Sequence, residues 1–430
     1  MKVNVIGGGL AGSEAAYRLL KAGVDVDLYE MRPKKNTEAH TTENLAELVC
    51  SNSLKGILPT TPQGTLKCEL TILDSLILAS AYATQVPAGG ALAVDRVKFS
   101  RLVEEKLMSF TNFRLIREEV TSLLPYSIIA TGPLTSKALA DEIVKKTSQE
   151  NLFFYDAVAP IVTKASLNLD KTFNMNRYGK GSSDYINCPM TKPEYETFYN
   201  ALLKAERVII RDFEKGDIFE GCMPIEVMAS RGLDTMLFGP LRPVGLYDEN
   251  GKRAYAVVQL RAEDNYDQLF NLVGFQTNLT FKAQEHVFRL IPALENAEFV
   301  RFGVMHRNTY LNSPSVLNKD FSCKWDNTSF FAGQITGVEG YMESALSGIL
   351  AGINMLRLLQ GKKSIMPPEL TLSGSLCKYI TEKQRKIQPM RCSFELTPSL
   401  SQIRSKKERR EALSNRAISA MQDFSRELDL

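Results

Sequence analysis

The chain has 430 residues, 44% of them hydrophobic and 23% charged, with 27 Gly and 18 Pro. That near-average composition gives room for two to three domains and excludes collagen-like, low-complexity and repeat architectures. The 52 Lys and Arg against 49 Asp and Glu leave a formal charge of +3, so bulk charge does not indicate nucleic-acid binding and only a local basic patch would.

In chain order, the sequence opens as MKVNVIGGG, directly as strand and turn, with no apolar targeting segment. Residues 3–6 predict a β-branched strand running into Gly7-Gly8-Gly9-Leu10-Ala11-Gly12, after which Ala15, Ala16, Leu19 and Leu20 recur at helical spacing up to Gly23. A second strand predicted over 24–29 ends at Glu30 and closes a βαβ unit. In such a unit Gly7 permits the tight turn, Gly9 lets backbone N–H groups approach a pyrophosphate, and Gly12 lets helix and strand pack closely. Glu30 is expected to accept hydrogen bonds from ribose hydroxyls and to repel a ribose 2′-phosphate.

The next motif is Glu47 to Lys55, with Cys50 followed by Ser51-Asn52-Ser53, residue types that cap helices and would bring backbone N–H groups to the thiol. The most apolar stretch, 70–94, is interrupted by Asp74, Gln85, Pro87, Gly89 and Gly90, short of the ~20 residues a bilayer needs. A cytoplasmic protein without a membrane partner is expected. Residues 126–132 predict a strand ending in Ala130-Thr131-Gly132, like the strand that approaches the nucleotide in flavoproteins.

Residues 134–324 read as an insertion with its own strands (157–162, 207–210, 254–260), a charged helix near 192–205, and prolines at 189, 193, 224, 240, 243, 292 and 314. It carries Cys222 in FEGCMPIE, with Arg231 and Arg242 nearby in sequence as sources of positive potential. Each of the two cysteines reads either as an activated thiol or as a buried inert one.

The chain then enters a strand and turn at Phe330-Phe331-Ala332-Gly333-Gln334, continues through Gly337-Val338-Glu339-Gly340-Tyr341, and proceeds into a small-residue helix over 343–356. A second strand, glycine turn and helix returning to the nucleotide favours FAD over NAD. The tail, 402–430, is predicted helical and concentrates Arg404, Lys406, Lys407, Arg409 and Arg410, either a solvated face or an RNA-phosphate-binding edge. The fold class expected is α/β: a doubly wound, Rossmann-type FAD-binding domain (1–133 and 325–430, the latter with the basic C-terminal helix) interrupted by an inserted α/β domain (134–324). The seven cysteines include no CxxC pair and the three histidines have no zinc spacing, so no metal site is expected.

The strings VNVIGGGLAGSEAAYRL, LYEMRP, AELVCSNSLK, VPAGGALAVDR, ATGPLTS, DYINCPMTKPEY, FEGCMPIEVMASRG, GPLRPVGL, NLVGFQTNL, GVMHRN and FAGQITGVEGY occur in order. In these the chain closely resembles the folate- and FAD-dependent tRNA (uracil-5-)-methyltransferase family over most of residues 2–354. The resemblance weakens after Pro367, where Arg391-Cys392-Ser393-Phe394-Glu395 departs from the family's usual run. What it implies is methylation of C5 of a uridine in the tRNA T-loop, with ribosomal RNA as the alternative that the divergent C-terminal region leaves open. Methylenetetrahydrofolate would donate the carbon, and FAD, reduced by NAD(P)H, would act as methylene carrier and reductant.

The resemblance further implies Cys222 as the thiol that adds to uracil C6 and Cys50 as the second catalytic cysteine, with exchanged roles still open. Arg32, in LYEMRP, joins the cofactor-binding set with Gly8, Leu10, Ala11, Thr131, Gly132, Gly333, Gln334, Gly337 and Val338. Tyr341 is expected either beside the isoalloxazine or folate ring or as a core aromatic, and His306 and Arg307 either near folate or RNA phosphate or as loop structure. Cys68, Cys188, Cys323, Cys377 and Cys392 are expected to be structural. No protein partner can be inferred.

Overall fold

The structure is a computed structural model that describes residues 2–428 apart from 38, 149–151, 158, 180–183, 209–216, 219–222, 265–266 and 384–387. Its first sheet has five parallel strands in the order Ser329–Phe331, Ser127–Ile129, Lys2–Ile6, Asp25–Tyr29 and Phe113–Ile116. The register sets Val5 beside both Leu28 and Ile128, and these three side chains are fully buried. Along Lys2–Ile6 and Asp25–Tyr29 the buried Val3, Val5, Val26 and Leu28 alternate with Lys2, Asn4, Asp25 and Asp27. The strand order reverses about Lys2–Ile6, and a crevice at the carboxyl ends of such strands is where ligands bind.

Helix Leu10–Lys21 follows the first strand directly and helix Tyr341–Leu359 packs across it. Their approach depends on small residues. A Cβ on Gly348 would lie 2.1 Å from the Ala11 carbonyl oxygen, and one on Gly352 would lie 3.1 Å from that of Ala15. The C-terminal part of the chain is thereby seated against the first βαβ unit. Helix Lys406–Glu427, capped by Ser405, buries Leu413, Ala417, Met421 and Phe424 at helical spacing and packs on helix Pro62–Ile72. Arg404 lies before this helix rather than in it.

A second sheet has six antiparallel strands in the order Phe173–Asn174, Tyr185–Met190, Ala256–Ala262, Leu269–Leu272, Ile161–Thr163 and Phe299–Arg301. It has its own core, in which Cys188, Val258, Leu260 and Phe270 meet Tyr195, Phe198 and Leu202 of helix Lys192–Lys204. That helix starts at a capping box between Thr191 and Glu194. The strand expected over 157–162 is instead two, Leu152–Ala157 and Ile161–Thr163, in different sheets, because Pro160 between them supplies no N–H to a ladder. Of the strand expected at 207–210, Arg207 forms an isolated bridge to Leu279, and residues 209 and 210 lie outside the described residues. The strand expected over 254–260 runs over Ala256–Ala262. Leu311, Val316, Leu317, Phe321 and Cys323 pack with the core of the parallel sheet. Among the described residues no helix is long and apolar enough to cross a membrane.

Two buried carboxylates act as caps for distant helices. Glu14 accepts hydrogen bonds from Leu76 N at 3.1 Å, Ile77 N at 3.0 Å and Ser75 Oγ, and Glu69 accepts from Leu372 N at 2.7 Å, Ser373 N at 2.9 Å and Ser373 Oγ. Burial pushes each carboxyl up to about 7 in spite of those donors. A carboxyl raised on folding gives stability that is complete below its unfolded value and is lost as pH rises through its folded one. Each group should therefore remove stability on the order of 3 kcal/mol between about pH 4.5 and 7. Glu69→Gln is expected to flatten the fall in urea midpoint across that window relative to the parent chain. Parallel pH profiles for the two proteins would contradict the assignment.

Candidate functional site

A cleft with an empty volume of about 1020 Å³ opens at the carboxyl ends of the parallel strands. It is lined by the glycine turn, by Glu30 and Arg32, by Thr131 and Gly132, and by Gly333, Gln334 and Tyr341. The turn is built by close approach: Gly7 sits at φ 102°, and a Cβ there would lie 2.5 Å from the Ala130 carbonyl oxygen. Gly12 does not line the cleft; a Cβ on it would lie 1.9 Å from Gly7 O, so its part is to let the helix touch the turn. A Cβ on Gly9, by contrast, would meet nothing within 4 Å. Helix Leu10–Lys21 has neither a side-chain cap nor an acid in its first turn, so the N–H groups at its positive end face the cleft beside Gly9, Leu10 and Ala11. A diphosphate fits that geometry.

Glu30 and Arg32 form a buried charge cluster with Glu47. Arg32, 1% exposed, donates to Glu30 Oε1 from both N (3.1 Å) and Nε (3.0 Å) and from Nη1 to Glu47 Oε2 (3.0 Å) and Thr42 O (3.0 Å). Gly8 N donates to Glu30 Oε2 at 3.1 Å. Burial works against charge on Glu30, but the hydrogen bonds from Arg32 and Gly8 outweigh it and hold the carboxyl below its ordinary value. Three of the roughly four acceptor positions of Glu30 are therefore occupied, which leaves room for one ribose hydroxyl rather than two. His40, which also lines the cleft, is pushed down to about 4 by burial and then by the charge of Arg32. Arg32→Ala would leave Glu30 and Glu47 buried without their cation. A loss of about 3–5 kcal/mol is expected, seen as a lowered urea midpoint, and an unchanged midpoint would contradict it.

The second glycine turn contributes unevenly. Gly333 N is held by Ser347 Oγ at 2.7 Å, and Gln334 Nε2 donates to Glu339 Oε2 at 2.7 Å. Gly337 and Val338 do not line the cleft. Val338 is 1% exposed and pairs in parallel with Met390, with Met390 N donating to Gly337 O at 2.9 Å. These two residues anchor the later segment, because the chain turns away from the cleft after Gln334.

Cys50 is half-buried on a loop that reaches Tyr341. No helix begins at Ser51-Asn52-Ser53; strand Ser53–Gly56 does. The N–H groups of Cys50 and Ser51 donate instead to Tyr341 Oη at 2.9 and 3.1 Å. Burial pushes the Tyr341 hydroxyl well above its ordinary value, so it remains protonated. Three guanidiniums clamp the loop. Arg96 Nη1 donates to Leu48 O at 2.6 Å and Nη2 to Cys50 O at 3.4 Å; Arg301 Nη2 donates to Val49 O at 2.9 Å; Arg261 donates to Ser51 Oγ at 2.7 Å and Asn52 Oδ1 at 3.0 Å. Glu263 pairs with Arg96 at 2.6 Å.

Cys222 lies outside the described residues, as do the side chains of His306 and Arg307. Downstream of Cys222, Met223 and Ile225 are buried, and Ile225 starts helix Ile225–Ser230 after Pro224. Arg242 donates to Tyr178 Oη at 3.3 Å. Arg404, Lys406, Lys407 and Arg410 are exposed and Arg409 is half-buried, at the start of the last helix. Cleft residues that sequence reasoning missed include Thr37, His40, Val49 and Ser344, which sit in no dinucleotide motif. Arg96, which ends the VPAGGALAVDR string, Arg261, which ends VVQLR, and Arg301 were given no role, and their contacts with residues 48–52 supply one.

The sequence matches the family described as "GIDA: Glucose inhibited division protein A" over residues 2–363. It is 54% identical over 430 residues to the methylenetetrahydrofolate--tRNA-(uracil-5-)-methyltransferase TrmFO of Listeria innocua, covering 99% of each chain. It is 54% identical over 432 residues to the protein of that name from Enterococcus faecalis, covering 100% of this chain and 99% of the relative. The fold is similar to that of Aquifex aeolicus GidA, with a TM-score of 0.73 at 17% identity over 99% of this chain and 73% of that one. The chain belongs to the folate- and FAD-dependent tRNA (uracil-5-)-methyltransferase family.

Proposed function

We propose that the chain methylates C5 of a tRNA uridine, in the T-loop, with methylenetetrahydrofolate as carbon donor and FAD reduced by NAD(P)H. The observation that carries this reading is the tie between Cys50 and the cleft: the loop bearing the thiol hydrogen-bonds Tyr341, and Tyr341 lines the space that begins at the glycine turn. When bound, FAD supplies the carrying of the one-carbon unit and the reducing equivalents that turn it into a methyl group. Gly9, Leu10 and Ala11 would hold its diphosphate and Glu30 one ribose hydroxyl, while Thr131, Gly132, Gly333, Gln334 and Tyr341 border the rest. Neither of the two glycine turns is left over for a nicotinamide cofactor, so NAD(P)H is read as a transient visitor.

Uracil C5 is a poor nucleophile. A thiolate that adds to C6 pushes electrons toward C5, which then forms the new carbon bond; the C5 proton leaves to a base, and the C6–S bond breaks. On its FEGCMPIE motif Cys222 takes the C6 role. Cys50, held among Arg96, Arg261 and Arg301, takes the second role, as proton acceptor or covalent partner. The relatives are named for tRNA, so ribosomal RNA is set aside. The reaction is placed in the cytoplasm with its RNA. The test is transfer of label from radioactive methylenetetrahydrofolate into tRNA. Label is expected from the folate and not from S-adenosylmethionine, and the reverse pattern would overturn the reading.

A further inference from the structure

Four large apolar side chains stand exposed in the turns beside the antiparallel sheet: Phe238 at 84%, Tyr178 at 55%, Tyr247 at 46% and Val244 at 36%. Rings left in water at that density mark a surface that something covers. Two guanidiniums are set among them. Arg177 Nη1 donates to Arg242 O at 3.0 Å and to Val244 O, and Arg242 Nη2 donates to Tyr178 Oη at 3.3 Å. Among the described residues neither cation pairs with a carboxylate. Burial and then the nearby charge of Arg242 push Arg177 down, against the opposing pull of the Tyr178 hydroxyl. Two cations held together without an anion make a ready site for phosphate.

The backbone beneath is fixed rather than loose. Tyr178 N donates to Gly245 O at 2.8 Å, and the Tyr178 ring lies so close to Gly245 that a Cβ there would be 2.7 Å from it. Val257 N donates to Leu241 O at 3.1 Å, which ties the Phe238–Arg242 turn to strand Ala256–Ala262. The same strand connects this face to the reactive loop. Arg177 Nη2 donates to Gln259 Oε1 at 3.0 Å, and Arg261, two residues on and on the same face of the strand, grips Ser51 and Asn52 next to Cys50. Two strand residues span about 7 Å, a step on the scale of one nucleotide.

We propose that Tyr178, Phe238 and Tyr247, with Arg177 and Arg242, receive the unpaired nucleotides that flank the target uridine of the substrate RNA. The inference rests on the proposed tRNA activity and adds where the RNA lies. Bases stack on the rings regardless of their identity, and the guanidiniums take the phosphates between them. The loop of a structured RNA offers such splayed bases, whereas a duplex does not.

The test uses the full-length holoenzyme, a labelled tRNA transcript and anisotropy binding, with circular dichroism and a thermal melt as folding controls. Phe238→Ala and Arg242→Gln are each expected to weaken tRNA binding about tenfold and to raise KM more than they lower kcat. Phe238→Trp keeps a stacking face and should retain affinity, and Arg242→Gln should reduce the slope of log affinity against log salt by about one. Wild-type affinity in both weakening variants, with a parent enzyme that methylates tRNA, overturns this inference alone. A parent enzyme that does not methylate tRNA overturns both it and the proposed function. Variants that keep RNA affinity but change sedimentation would give the face to a protein contact and also overturn the inference.

Discussion

Cys50→Ala and Cys222→Ala are each expected to lower 5-methyluridine formation by on the order of 10³-fold or more, since the proposed function gives each thiol a step on the reacting base. The two variants should part in a trapping experiment. With 5-fluorouridine tRNA the C5 position cannot lose a proton, so the thiol that adds to C6 stays attached. Cys50→Ala is expected to accumulate the covalent protein–RNA adduct and Cys222→Ala to form none. An adduct that survives Cys222→Ala would exchange the two roles. Flavin absorbance, measured on each variant, separates loss of chemistry from loss of the cofactor.

Gly348→Val is expected to cost about 3 kcal/mol or more. The clash is with backbone: the first added carbon would sit 2.1 Å from the Ala11 carbonyl oxygen, and no rotamer of a neighbouring side chain relieves it. Ala11 lies in the first turn of the helix whose N-terminus faces the cleft. The variant should therefore lose flavin as well as stability, seen as a colourless protein with a lower urea midpoint. Gly90→Ala serves as control, because a Cβ at Gly90 meets nothing within 4 Å. A yellow Gly348→Val protein with the parent's midpoint would contradict the packing account.

What the sequence made legible follows from how local each signal was. The first βαβ unit was readable because strand, glycine turn, helix and terminal acid fall within thirty consecutive residues and each is a local demand of backbone geometry. Gly333 and Gln334 were readable for the same reason. Gly337 and Val338 were assigned to the cofactor by continuity of motif, but the chain bends at Gln334–Thr336 and spends them on Met390 instead. Ser51 to Ser53 looked like helix-capping residues. Ser51 Oγ and Ser53 Oγ do accept from the N–H groups two residues on, whereas Asn52 Nδ2 donates to Val94 O at 3.1 Å and Ala262 O at 2.9 Å, contacts 42 and 210 residues away in sequence. No local pattern encodes such a partner. The arginine clamp was hidden likewise, since Arg96, Arg261 and Arg301 reach residues 48–52 from 46 to 252 positions away in sequence. Glu30 lines the cleft, and its occupancy by Arg32 and Gly8 could not be read from a motif that names only the acid.

The measurement that bears most directly on the central claim is nucleoside mass spectrometry of a tRNA transcript incubated with the purified yellow protein, NADPH and methylenetetrahydrofolate. The account predicts 5-methyluridine at a loop uridine of the tRNA, absent when the folate is left out and absent from ribosomal RNA treated in parallel. A flavin-loaded protein that leaves the tRNA unmodified, or that modifies only ribosomal RNA, would contradict it.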